Sequence, residues 1–232
     1  MNQGPHRMPP MCPGGYTEPD GPKVRRLGLA EYRETWLAMR AFTERREAHD
    51  ADEIWLLQHP PVYTMGFNAK HGAPVDEHGI GVVQTDRGGD ITYHGPGQLV
   101  AYVLVDLRRR GLGPKGLVRV LEQAVIDLLH RYGITGCRRE GAPGVYVGQS
   151  KIAQLGLRIR RGASYHGLSF NVDMDVGPFS RIDPCGYPGL EVTQLADFVP
   201  KPDFSEVESA LLDTLYENLG YNEKQSSTVE LP

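Results

Sequence analysis

An α+β fold, a mixed β-sheet with flanking helices, is what the sequence predicts, on three observations. Short apolar runs bounded by proline, glycine or charge outnumber the helical repeats. The two kinds of segment do not alternate regularly, which argues against a doubly wound nucleotide fold. The 232 residues, 40% hydrophobic and 23% charged, are enough for one domain with a substantial core.

The elements follow in chain order. Residues 1–23 carry Pro5, Pro9, Pro10, Pro13, Pro19 and Pro22 among glycines, a composition that packs no core and reads as a mobile tail. A single catalytic domain is expected over 24–220, with a C-terminal tail over 221–232. Tyr32, Trp36, Met39 and Thr43 keep helical spacing and predict a first amphipathic helix whose aromatic stripe is core. Ile54–Leu57 and Leu99–Val105 read as buried strands, with a glycine-rich stretch between them. From Pro114 to Tyr132, Leu117, Leu121, Ala124, Val125, Leu128 and Leu129 form one apolar face, and Gly133 ends the helix. Gly144–Val147 and Ile152–Arg161 flank a hairpin turn at Gly148-Gln149-Ser150, which puts Lys151 at the mouth of a strand. Ala163–Val172 reads as a further strand. A last helix is expected to start at a capping box formed by Ser205 and Glu208 and to stop at Gly220. The first and middle helices are expected to cover one face of the sheet.

Composition excludes several classes. A formal charge of -4 gives no global attraction to nucleic acid. The longest apolar run, Leu99–Val105, is far short of the roughly 20 residues of a membrane span. The N-terminus shows no apolar signal region, and Cys12, Cys137 and Cys185 form no CxxC pair, so a reducing, cytoplasmic setting is expected. Cys137 reads as a buried structural cysteine, and Cys12 in the tail as inert.

Four segments carry chemistry. The first, Arg87-Gly88-Gly89-Asp90-Ile91-Thr92-Tyr93-His94 followed by Gly95-Pro96-Gly97-Gln98, lets backbone approach a ligand closely but lacks the order of a phosphate-gripping P-loop. In the second, Lys151 precedes Ile152, Ala153, Gln154, Leu155 and Gly156. The third sets His166 before Gly167, Leu168 and Ser169. The fourth puts Cys185 on a loop stiffened by Pro184 and Pro188 and opened by Gly186 and Gly189, which suits a nucleophile that needs access.

In content, order and spacing these four segments resemble the lipoyl(octanoyl) transferases, from about Val24 to Leu195. The resemblance implies a fold similar to that of biotin and lipoate protein ligases. It implies octanoyl transfer from acyl carrier protein to a specific lysine of lipoyl domains, such as those of the 2-oxoacid dehydrogenases, and of the glycine-cleavage H protein. That is the first step of lipoate assembly. By the same resemblance Cys185 is the acyl-thioester nucleophile and Lys151 its partner, the segment from Arg87 to His94 lines the acyl site, and His166 is a further possible participant.

Elementary chemistry agrees with that pair. A free thiol titrates at roughly 8.5 and a free amine at roughly 10.4, so contact favours a thiolate–ammonium pair in water while burial opposes it. Either form leaves an acid–base dyad. Exchange of thioesters is balanced and amide formation from a thioester runs downhill, so the route needs no cofactor, ATP or metal. Backbone N–H groups at Leu155 and Gly156, or from Gly167 to Ser169, are candidate oxyanion donors. The basic clusters at 108–110 and 158–161 are candidate docking surface for an acidic carrier. The rival readings are an ATP-dependent ligase using Lys151 without Cys185, a thiol hydrolase with His94 or His166 as base, and a non-catalytic carrier-binding module.

Overall fold

The computed structural model describes residues 21–69, 79–182 and 190–221. The strands, numbered along the chain, are β1 (Lys23–Leu29), β2 (Glu53–Gln58), β3 (Val62–Met65), β4 (Gly81–Gln84), β5 (Ile91–His94), β6 (Gln98–Leu104), β7 (Gly144–Val147), β8 (Ser150–Arg160) and β9 (Ala163–Asn171). The helices are α1 (Tyr32–Arg45), α2 (Pro114–Arg131) and α3 (Phe204–Leu219). A six-stranded sheet runs β1-β2-β6-β9-β8-β7, and a small one runs β4-β3-β5. Pairing of β1 with β2 and of β3 with β4 is parallel and the rest antiparallel, so both sheets are mixed.

The interior strands explain the fold. All residues of β6 and β9 are buried, so these strands read as continuous runs with each face used. Leu99, Ala101 and Val103 of β6, with Leu168 and Phe170 of β9, enter a core closed by Leu117, Leu121 and Leu128 of α2 and Val207, Leu211 and Leu215 of α3. The alternate residues, Val100, Tyr102, Leu104 and Tyr165, meet Met39 and Phe42 of α1 on the opposite face. The first and middle helices therefore cover different faces, not one as the sequence suggested. Periodicity fixes which stripe of a helix is buried but carries nothing about which side of the sheet receives it.

Three further expectations change. The glycine-rich stretch before Gln98 holds β3, β4 and β5, each too short for its pattern to stand out. Helix α3 is capped by Asp203, whose carboxylate accepts from the Ser205 and Glu206 N–H groups, while Glu208 pairs with Arg26 at 2.7 Å. Cys137 is exposed, because its short bridge to Tyr146 lies at the rim of the sheet. The end of α2 at Gly133 (φ 71°) and of α3 at Gly220 (φ 71°) is as expected for left-handed C-terminal glycines. Among the described residues no helix is long and apolar enough to cross a membrane.

One buried ionic cluster ties loops to the sheet edge. The Asp52 carboxylate, 2% exposed, receives Arg46, Arg109 at 2.6 Å, Arg110 at 3.4 Å, the Tyr221 hydroxyl at 2.8 Å and the Asp106 N–H at 2.9 Å. The Arg110 guanidinium lies 3.8 Å from the Tyr221 ring centroid. Arg109 and Arg110 are thus structural, which removes them from the docking surface expected at 108–110. Burial alone raises the Asp52 pKa, but Arg46, the two hydrogen-bond donors and Arg109 outweigh it and hold the group below the ordinary carboxylate value.

Asp52→Ala leaves three cations without their counter-charge and is expected to cost about 3–5 kcal/mol, read as a lower urea midpoint at neutral pH. A folded pKa below the unfolded one gives stability that is complete above about pH 4 and fades as pH falls through the folded value. The gap between wild type and variant should therefore narrow in unfolding curves taken near pH 3; a gap independent of pH rejects the charge account.

Candidate active site

Lys151 reaches the site through an irregularity in strand pairing. Along β8, Val145 faces Ala153 but the next residue, Tyr146, faces Lys151, so Ile152 is the extra residue of a bulge. Ile152 and Ala153 both enter the α2/α3 core, and Lys151 is thereby turned to the other face, the one that Tyr146 shares. The amine donates to the Pro143 carbonyl at 2.8 Å and lies 5.5 Å from the Tyr146 ring centroid, with the residue fully buried. The Lys151 side chain runs over Gly144 back toward Gln154, the residue opposite Gly144. Gly144 (φ 142°) has no room for a Cβ, which would stand 3.0 Å from Nζ and 2.7 Å from the Ala153 carbonyl oxygen. Its own N–H is held by Glu122 at 3.0 Å.

The backbone of Lys151 is pinned as well. Its N–H donates to the Glu191 carbonyl at 2.8 Å, and its carbonyl accepts from Thr193 at 3.0 Å. Cys185 and its neighbours 183–189 lie outside the described residues, and Glu191–Thr193 is the chain immediately beyond them.

On the α1 face of the sheet, reached along β8 at Gln154, opens a cleft of about 490 Å³ including its open mouth. Its floor comes from Val100 and Tyr102 of β6, Gln154 and Gly156 of β8, and Gly167 and Ser169 of β9. Its roof comes from Arg87, Gly89, Asp90, Ile91, Thr92 and His94, and Tyr32 and His166 complete it. Leu155 and Leu168 border it, but their side chains pack toward the α2/α3 core.

Arg87 is 7% exposed and held by Thr64, whose carbonyl accepts at 2.5 Å and whose hydroxyl accepts at 2.9 and 3.1 Å. The space left by Gly156 is taken by this arginine, since a Cβ there would lie 3.1 Å from Arg87 Cδ and 3.1 Å from the Gly88 carbonyl oxygen. Gly88 donates to Leu157 at 2.9 Å and does not line the cleft; nor does Tyr93, whose ring packs 5.6 Å from both Tyr63 and Phe179. Strand alternation sends Tyr93 away from the side used by Thr92 and His94. Gly167–Ser169 sits in an interior strand paired on both sides, which commits its backbone to the sheet and removes it as a source of oxyanion donors.

The histidines are neutral in this setting. His59 donates Nδ1–H to Ala30 O at 2.6 Å and accepts at Nε2 from the Tyr102 hydroxyl at 2.7 Å; burial lowers its pKa to about 4. His94, wedged between Gln98 at 2.7 Å and Thr64 at 3.4 Å, is held well below the ordinary value by burial and by the nearby His59. Gln98 continues to Asn171 at 2.9 Å and Asn171 to the Thr193 carbonyl at 2.9 Å, so the cleft roof is wired to the segment beside Lys151. His166 donates Nε2–H to Asp86 at 3.1 Å, yet burial still leaves its pKa lowered. Asp86 also accepts from Trp36 at 2.8 Å and Tyr165 at 2.5 Å; although burial opposes it, these donors keep the carboxyl well below its usual range.

Of the site residues expected from sequence, Arg87, 89–92, His94, 154–156 and 166–169 border one cleft, and Lys151 runs over Gly144, opposite the cleft residue Gln154. Tyr32, His59, Thr64, Asp86, Tyr102 and Gly144 were not anticipated. Tyr32 is buried as its place in the aromatic stripe predicts and also lines the cleft, while Trp36 beside it is half-buried and spends its N–H on Asp86. Asp86 alone carried a local signal, as the residue preceding the arginine-glycine motif.

Comparison with known proteins supports this architecture. The family model described as lipoyl protein ligase A/B catalytic domain matches residues 31–216. The chain is 56% identical over 207 residues to the octanoyltransferase of Thiobacillus denitrificans, covering 89% of this chain and 95% of that protein. It is 55% identical over 203 residues to the octanoyltransferase of Stutzerimonas stutzeri, covering 88% and 93%. Among solved structures, a lipoate-protein ligase A bound with ATP has the same fold at TM-score 0.73 and 18% identity, covering 90% of each chain. A biotin protein ligase from Aquifex aeolicus follows at TM-score 0.54 and 15% identity, covering 88% of this chain and 73% of that one. The chain therefore belongs to the lipoyl protein ligase A/B catalytic-domain family, and it is an enzyme of the acyltransferase kind.

Proposed function

We propose that the enzyme transfers an octanoyl group from acyl carrier protein to a lysine of lipoyl domains and of the glycine-cleavage H protein, through an acyl-thioester on Cys185. The observation that carries this reading is the placement of Lys151. A strand bulge turns a buried amine away from the apolar core, over Gly144 and toward the level of the cleft residue Gln154, and that amine's backbone is hydrogen-bonded to the chain that follows Pro184-Cys185-Gly186. Five residues lie between Cys185 and Glu191, so the covalent chain keeps the Cys185 Cα within about 22 Å of the Glu191 Cα, whose carbonyl Lys151 N–H contacts.

The reaction divides into two transfers. Cys185 Sγ attacks the carbonyl carbon of the phosphopantetheine thioester, the old C–S bond breaks, and Lys151 as ammonium gives its proton to the departing thiolate. The acceptor lysine then attacks the acyl-enzyme as a free amine. Neutral Lys151 takes the proton that the new C–N bond releases, and Cys185 leaves as thiolate. Gln154 supports the carbonyl end: its Oε1 accepts from Ser169 at 2.9 Å, while its buried Nε2 has no partner among the described residues and lies at the level to which the Lys151 side chain points. It is a better oxyanion donor than strand amides already used by the sheet.

Net charge gives no general attraction to an acidic carrier, and on β8 Arg158 and Arg160 share an exposed face that can dock one. Arg160 is partly neutralised by Glu44 at 3.0 Å, which leaves Arg158 as the stronger contributor.

Two experiments test the reading. Mixing wild type with octanoyl-loaded acyl carrier protein should add one octanoyl group by intact-protein mass, absent in Cys185→Ala and discharged by a lipoyl domain. Transfer that persists without Cys185 and requires ATP establishes the ligase reading instead. Gly144→Ala should drive Lys151 from its place and lower the transfer rate by about 100-fold or more while far-UV circular dichroism stays native; full activity in a folded variant shows that the observed lysine position is not needed.

A further inference from the structure

The far end of the cleft holds a group that the transfer chemistry does not use. His166 is 1% exposed and lines the cleft, and its Nδ1 has no hydrogen-bond partner among the described residues. Its Nε2–H is committed to Asp86, which fixes the tautomer and leaves Nδ1 as an acceptor. The backbone there is strained: φ is 61°, in the left-handed region, inside an otherwise regular strand. The ring is fixed between Tyr165, at 5.0 Å, and Tyr102, at 6.0 Å. A strained, tautomer-fixed histidine with an open acceptor is a ligand-facing arrangement.

Strand geometry supplies a distance. The Lys151 side chain extends toward Gly144 and hence to Gln154, the residue paired with it. His166 faces Leu157, three residues farther along β8 and so about 10 Å away. An extended octanoyl chain measures about 9 Å from carbonyl carbon to methyl, given C–C bonds of roughly 1.5 Å in staggered order. An acyl chain whose carbonyl lies at the Lys151–Gln154 level therefore ends at His166, with Arg87 and Tyr32 beside it.

We propose that His166, oriented by Asp86 and flanked by Arg87 and Tyr32, is the acyl-length gauge of the cleft, a polar end-wall with one open hydrogen-bond acceptor. This rests on the acyl-transfer reading above. Two properties follow from one wall. Methylenes beyond the eighth carbon meet buried polar groups and gain no apolar contact, while a hydroxyl on the eighth carbon finds Nδ1 as partner. A purely steric, apolar end-wall would reject the hydroxyl as well, because a buried hydroxyl without a partner costs a factor of roughly 5 to 150.

The test uses wild-type enzyme with acyl carrier protein loaded with octanoyl, decanoyl or 8-hydroxyoctanoyl groups, and reads kcat/KM for acyl-enzyme formation. Expected is a loss of at least about tenfold for decanoyl, and of less than about fivefold for 8-hydroxyoctanoyl. In His166→Asn, a residue that tolerates positive φ, the 8-hydroxyoctanoyl to octanoyl ratio should fall about fivefold or more and decanoyl should gain on octanoyl. Decanoyl used as well as octanoyl, or a fivefold or larger loss for the hydroxylated donor, overturns the gauge, and the wild-type series decides this even where the variant does not fold. Absence of octanoyl transfer by wild type overturns the acyl-transfer reading itself, and the gauge with it.

Discussion

The whole arrangement depends on the two-residue alternation of the strands at the centre of the large sheet. Each interior strand sends odd and even residues to opposite faces, so one face can be given to an apolar core and the other to a cleft without either interrupting the other. Leu168 and Phe170 belong to the α2/α3 side, and Gly167 and Ser169 to the cleft. Lys151 stands on β8 at a position whose parity would send it into that apolar core, where an ammonium group would be ruinous. The bulge at Ile152 reverses the parity at the cost of one local irregularity in the ladder. By it, core residues and a buried lysine on the opposite face occupy adjacent positions of one strand.

Once Lys151 is on the cleft face, the sequence around it has to leave room. Gly144 does so directly, since its missing side chain is the space through which the lysine passes. Gly156 does so differently: the space left by its missing side chain is filled by Arg87. At Gly167 a Cβ would collide with the Ala101 carbonyl oxygen of β6, so this glycine answers to strand approach next to the strained His166. Three glycines in similar motifs thus have three separate physical causes, which no reading of composition can separate.

Legibility in the sequence followed the range of the interactions involved. Helix α2 and strands β6 and β9 were readable because 18, 7 and 9 residues give a pattern time to repeat. The four-residue strands β3, β4 and β5 were not, and the assignment of α1 and α2 to opposite faces depends on contacts that periodicity does not encode. The same division holds at the site. Arg87, His94, Lys151 and Gln154 stood in recognisable motifs, whereas Asp86 meets His166 across 80 residues and His59 meets Tyr102 across 43. The cap of α3 was misplaced by two residues because Ser205 and Asp203 are both good capping residues, and only backbone geometry shows which one stops being helical.

The cleft also shows how many polar residues can be buried around one space. Arg87 turns its donors into Thr64 and the Gly88 carbonyl, His59 and Tyr102 satisfy each other, and His94 closes on Gln98. Each pairing directs polarity into the wall and presents ring faces and aliphatic stems to the interior, which is how buried polar groups avoid their desolvation cost. Burial then keeps His59 and His94 neutral, so Arg87 does not share the cleft with further cations. Against that background three side-chain atoms of the lining residues, Thr92 Oγ1, Gln154 Nε2 and His166 Nδ1, are buried without a hydrogen-bond partner among the described residues. Gln154 stands opposite Gly144, over which the lysine runs, and His166 about 10 Å farther along the same pair of strands, so these two of the three are set well apart. His166 is oriented by Asp86, which the Trp36 and Tyr165 donors hold in place.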